Sequence, residues 1–210
     1  MALVKLNNRG VRSATAFGSI TGLGSMTFIK KQTASSSSTI SFVDGTSDVV
    51  LDDTYKEYLF TFKNIHPATD DQPLTFQANA AGGSGYDETI TSTSFDALNR
   101  ENDDQRLLVY NAGGDQAQGT SFQHLHYDAY IHDDSDACLS GYLHLFNPSG
   151  TVGVKHFIGR AQHMGYSSDP ISHDNFCSGY FNTTSAIDEI QFKMSTGNID
   201  AGTIQLIGIT

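Results

Sequence analysis

A chain of 210 residues with 20 glycines and only 38% hydrophobic residues fits one thin-cored all-β domain without requiring a second. The formal net charge of −11 opposes binding to a phosphate backbone, which requires clustered Lys and Arg, so nucleic acid is not an expected partner. No run of about 18 apolar residues occurs and no signal-peptide pattern opens the chain, which argues against membrane insertion and secretion and for synthesis in a reducing cytoplasm.

Charge is unevenly distributed. Residues 1–43 carry Lys5, Arg9, Arg12, Lys30 and Lys31 with no acid, and the remainder holds 7 bases against 23 acids, or −16. Residues 1–38 therefore read as an extended, basic N-terminal arm that ends in the serine run Ser35 to Ser38. Its lysines and arginines are candidates for anchoring on an acidic neighbour, and its spaced apolar residues (Leu3, Val4, Leu6, Val11, Phe17, Ile20, Leu23) exceed what a solvating tail needs. Frequent glycines exclude a long helix here, although Met26–Ile29 has the composition of an edge strand.

From Thr39 onward the dominant period is two, in short β-branched and aromatic runs bounded by Gly, Asp, Asn and Pro. The predicted strands are Thr39–Val43, Tyr55–Ile65, Leu74–Ala78, Glu88–Phe95, Arg106–Tyr110, Phe122–His132, Gly141–Phe146, Val152–Ile158, Phe176–Phe181, Ile187–Met194 and Thr203–Ile209. Only Asp96–Asp104 tolerates a helix. About eleven strands without alternating helices predict an all-β antiparallel β-sandwich, jelly-roll-like, spanning residues 39–210. Its last two strands are joined by the glycine-bounded segment Ser195–Gly202.

Alternation assigns faces. Tyr58, Phe60 and Phe62 share one face of their strand and are the expected core. In Phe122–His132 the expected core set is Leu125, Tyr127, Ala129 and Ile131, which sends His124, His126, Asp128, Tyr130 and His132 to the other face.

That polar row is the main chemical candidate. His124 and His126 would project from one face about 7 Å apart, and with Asp128 they could hold a borderline metal, or simply occupy a half-exposed or inter-subunit face. The paired acids Asp52-Asp53, Asp70-Asp71, Asp103-Asp104 and Asp133-Asp134 lack the EF-hand order and read as solvated turns. Cys138 and Cys177 lack zinc-ligand spacing and read as buried thiols. No GxSxG elbow surrounds a serine, and the glycine-rich stretches lack the Lys-Ser/Thr ending of a phosphate loop, so no catalytic residue and no cofactor is assigned.

Several separated segments share a further character: Tyr55-Lys56-Glu57-Tyr58, Asn64-Ile65-His66-Pro67-Ala68-Thr69-Asp70, Ala78 through Tyr86, Leu145-Phe146-Asn147-Pro148-Ser149, Ala186 through Phe192 and Gly197 through Ile204. Together they resemble virion structural proteins of marine bacteriophages, of fibre or decoration type. The opening Met1–Arg9 is similar to the starts of phage fibre and virion proteins. The resemblance implies a non-enzymatic subunit located in the virion, docked on a capsid or tail component through its arm and assembled as a homo-oligomer, with a trimer favoured. Two rivals belong to other classes. One is a receptor-binding module reading host glycan with loops such as Tyr86-Asp87 and Tyr166–Asp169; the other is a polysaccharide depolymerase with two carboxylates in a cleft.

Overall fold

The computed structural model describes residues 25–127, 131–165 and 170–210. Among these the regular structure is all strand, in two antiparallel sheets. In spatial order the larger sheet runs β1 (Met26–Thr33), β13 (Ile199–Ile209), β3 (Glu57–Pro67), β9 (Leu139–Phe146), β10 (Lys155–Gly165), β11 (Ile171–Phe181), β5 (Ile90–Arg100) and β6 (Arg106–Tyr110), with the short β7 (Ala117–Gly119) on β5. The smaller sheet runs β2 (Ile40–Val43), β12 (Ile187–Met194), β4 (Leu74–Ala80) and β8 (Gln123–His124). The result is an antiparallel β-sandwich, as the period-two pattern predicts.

The core lies between the sheets, and aromatic rings join them. Phe192 on β12 meets Phe60 and Phe62 of β3 at centroid distances of 5.3 and 5.2 Å, and Phe76 on β4 meets Phe157 of β10 at 5.1 Å. Most of these contacts are edge-on or tilted, the geometry that the ring quadrupole favours. Tyr58, Phe60 and Phe62 are buried together, as their shared face requires. β10 alternates buried and exposed residues along nearly its whole length, because one face meets the core and the other meets solvent.

Four expectations need correction. The sandwich is already present at Met26, well ahead of Thr39, and the edge strand expected at Met26–Ile29 extends to Thr33: β1 pairs along its length with β13, so Lys30 and Lys31 belong to the sandwich and not to an arm. Phe122–His132 does not read as one strand among its described residues: Gln123–His124 pairs with Phe76 and Thr75, and Ile131 makes isolated bridges to Gln72 and Gly165. The helix-tolerant Asp96–Asp104 is strand as far as Arg100, because β11 pairs with β5 up to Arg100. Finally, β12 and β13 lie in different sheets, so Ser195–Gly202 contributes to a crossing between layers and not a hairpin. At that crossing Asn64 (φ 49°) and Gly202 (φ 113°) meet in an irregular register, and a Cβ on Gly202 would sit 2.5 Å from the Asn64 carbonyl oxygen. Only glycine fits there.

Candidate functional site

The two sheets are unequal in width, and this creates a polar end inside the sandwich. β8 contributes only two paired residues, so part of the inner face of β5, β10 and β11 is covered by irregular chain between residues 111 and 127. Several backbone groups there lie outside the ladders of β7 and β8 and are met by side chains. Gln123 answers this need: its side-chain amide donates to the carbonyls of Gly114 (2.7 Å) and His124 (3.0 Å), while its oxygen accepts from Ser92 Oγ (2.6 Å). Gln77 similarly donates to the carbonyls of Glu88, Thr120 and Ser121.

Beyond Gln123 lies a buried group of three imidazoles and one carboxylate. His126 packs on His163 of β10 at 4.4 Å between centroids, and His163 stacks on His173 of β11 at 5.1 Å with 11° between ring planes. His173 Nδ1 is 3.0 Å from Asp96 Oδ2, while Asp96 Oδ1 accepts from Asn111 Nδ2 at 2.8 Å. Asn175 reaches His163 Nδ1 with its amide (3.4 Å) and accepts the Tyr127 N–H at its oxygen (3.3 Å). The backbone N–H of Leu74 donates to His126 Nε2 at 2.9 Å, which leaves the proton of a neutral ring on Nδ1. Burial, reinforced by His163, His124 and His173, holds His126 well below the ordinary histidine pKa. His124 is lowered too, by burial.

The two histidines of the predicted metal row have different surroundings. His126 points into the interior with its Nε2 occupied by a backbone donor, whereas His124 stacks on Tyr127 at 5.4 Å; Asp128 lies outside the described residues, as do Ala129 and Tyr130. Leu125 and Ile131 are buried as expected. Lys5, Arg9 and Arg12 also lie outside the described residues. Lys30 Nζ donates to the Ser47 carbonyl at 2.7 Å, and Lys31 is exposed on β1. Tyr86 is half-buried with its pKa raised by burial and by a hydrogen bond to Glu189, so its hydroxyl is turned to the protein; Tyr166–Asp169 fall outside the described residues. Cys177 is buried as expected, and Cys138 is partly exposed; both are free thiols.

Asp70, Asp71 and His132 do converge, the one group of at least three potential ligands whose atoms lie within 4.8 Å among the described residues. Both carboxylates face the same ring: His132 Nδ1 is 2.9 Å from Asp70 and Nε2 is 3.0 Å from Asp71. A metal would use one imidazole nitrogen, so this geometry is that of a clamp between two loops, supported by the Gln72–Ile131 bridge.

The outer face of the larger sheet is the second distinctive surface. Register places Lys31, Gln205, Thr61, Tyr142, Arg160, Phe176, Phe95 and Tyr110 in one row across all eight strands. Phe95 and Phe176 stack at 4.8 Å, Arg160 lies 4.8 Å over Phe176, and Asp174 holds the guanidinium at 2.8 and 2.5 Å. Beside this row a shallow depression of about 430 Å³ is lined by Thr91, Thr93, Phe146, His156, Ile158 and Tyr180. Among the described residues nine large hydrophobics are exposed, and all except Val152 belong to this sheet.

Sequence reasoning missed the polar interior because His126, His163, His173 and Asp96 are remote in the chain and only sheet pairing unites them. Alternation did contain a clue: His163 and His173 fall on the buried parity of β10 and β11. Comparison with protein-family models, curated proteins and solved structures finds no match.

Proposed function

We propose that this chain is a non-enzymatic structural subunit of a phage virion, of fibre, decoration or tail-associated type, which acts by binding and assembles with copies of itself. The observation that carries the binding role is the concentration of exposed hydrophobic side chains on the larger sheet while the opposite layer keeps its own inside. Exposed apolar side chains gathered on one sheet of a sandwich mark an interaction site. The virion assignment rests on the sequence segments that resemble marine phage structural proteins. Anchoring falls to the stretch before Met26, with Lys5, Arg9 and Arg12, since Lys30 and Lys31 are part of the sandwich. A trimer is the favoured assembly.

Cryo-electron microscopy of particles of the phage that encodes the chain tests this reading. Density for the sandwich in symmetric copies on the capsid, tail or fibre supports it; particles lacking the chain overturn it.

A second reading, recognition of a host glycan, is favoured by the row Tyr142, Arg160, Phe176, Phe95 and Tyr110. Aromatic faces flanked by Ser, Thr and Asp hydroxyls and carboxylates suit a sugar's apolar and polar sides. Saccharide binding on a glycan array, abolished by Tyr142→Ser, would select it.

A further inference from the structure

β6 is built like an interior strand but stands at an edge. Leu107-Leu108-Val109-Tyr110 is a continuous apolar run, the pattern of strands buried on both faces. Here Leu108 and Tyr110 lie on the outer face, 74% and 56% exposed, and Leu107 is 45% exposed on the other face. β6 pairs with β5 on one side, and among the described strands none pairs on the other. At the opposite edge, among the described strands, β1 pairs only with β13 and exposes Met26 and Phe28, the latter 60% exposed. Open apolar edges are surfaces that natural sheets keep short, charged or covered.

We propose that the two edges cover each other: β6 of one copy pairs with β1 of the next, head to tail, and the larger sheets join across subunits. This rests on the reading that the chain self-associates, and it names the surface used.

Charge selects the partner. Around β6 lie Glu101, Asp103, Asp104 and Asp115 against Arg100 and Arg106, a balance of −2, with Asp103 tied to Arg106 and Asp115 accepting from the Tyr110 hydroxyl. β1 carries Lys30 and Lys31 and no acid, a balance of +2. Pairing β6 with β6, or β1 with β1, sets like charges together, whereas β1 with β6 sets opposite charges together. Strand direction agrees. Eight strands lie between the two edges inclusive and every neighbour is antiparallel, so β1 and β6 run in opposite directions. A rotation about an axis along the strands therefore places β6 antiparallel to the next β1 and continues the alternation. Such a heterologous contact closes into a ring, a trimer among them, where the rotation per subunit divides a full turn, and runs on as an open filament where it does not.

The test uses full-length chain with edges blocked separately: Leu108→Lys on β6, and Phe28→Glu with Lys31→Glu on β1. All three positions are exposed, and circular dichroism confirms folding. In sedimentation velocity each variant alone is expected to be monomeric at concentrations where the unaltered chain is assembled, and mixing the two restores association through the intact edges. Continued assembly of the β1 variant alone would show β6-to-β6 pairing and overturn the head-to-tail assignment while leaving self-association standing. An unaltered chain that is monomeric throughout would overturn both. Carbodiimide coupling of the unaltered chain gives an independent readout: intermolecular links from Lys31 to Asp115, the acid beside Tyr110 in the row that Lys31 occupies, are expected, and an assembled sample without them contradicts the proposal.

Discussion

His173 Nδ1 lies 3.0 Å from Asp96 Oδ2, and each side chain is only 1% exposed. The two strands β11 and β5 place them side by side, although 77 positions separate them in the chain. Asp96 also accepts from Asn111, so its carboxylate ties two strands to the irregular cover. Asp96→Ala would leave two buried donors without their acceptor, and is expected to destabilise by about 2–5 kcal/mol. Urea unfolding measures this; a loss of less than about 1 kcal/mol would refute a structural role for the network.

The pH dependence of stability follows from His126 and Cys177. His126 is held below its ordinary 6.5 by burial and by neighbouring imidazoles, so the unfolded chain takes up a proton at a pH where the folded chain does not. Stability is therefore complete above about 6.5 and falls as pH drops below it. Cys177 is pushed by burial from 9.0 to about 12, so the unfolded chain loses its proton first and stability falls as pH rises above 9. Melting temperature is expected to be flat between these limits and to decline on both sides. His126→Gln should weaken the acid limb, whereas an acid limb unchanged by this variant would assign it elsewhere.

Phe192 is the ring against which Phe42, Phe60, Phe62 and Phe76 pack, at 5.2 to 6.4 Å. Because it stands between both sheets, Phe192→Ala opens a cavity that neither sheet can close alone. A loss of about 3–5 kcal/mol is expected by denaturant titration. Phe192→Leu should cost less, since it restores part of the volume.

Deletion separates arm from body. Removing residues 1–24 is expected, on the proposed function, to abolish incorporation into particles. Removing residues 1–35 should lower the melting temperature as well, because it strips β1 from β13 and exposes the β13 edge. Calorimetry of both truncations, with assembly assays in parallel, distinguishes the two effects. Normal incorporation of the shorter truncation would refute anchoring by Lys5, Arg9 and Arg12.

Much of the layout was legible in the chain itself. Two-residue alternation located β3, with Tyr58, Phe60 and Phe62 inward, and the limits of β6 and β12 matched exactly because turn-forming residues bound them. In Phe122–His132 alternation placed Leu125 and Ile131 inward correctly but sent His126 to the wrong side, because the four-stranded sheet ends at β8 and His126 is buried. It caught the start of β1, where Met26–Ile29 reads as an edge strand, and missed the rest, whose lysines resemble a tail until β13 is seen beside them.

Periodicity along the chain thus determined which residues become strands and which of their faces turn inward, since alternation is a local consequence of the pleat. Only the tertiary structure decided which strands are neighbours, and with that the meeting of His126, His163, His173 and Asp96 and the exposure of Leu108 on both an open edge and an uncovered face. Pairing between distant strands depends on how two sheets of unequal width cover one another, and no short window of sequence contains that balance.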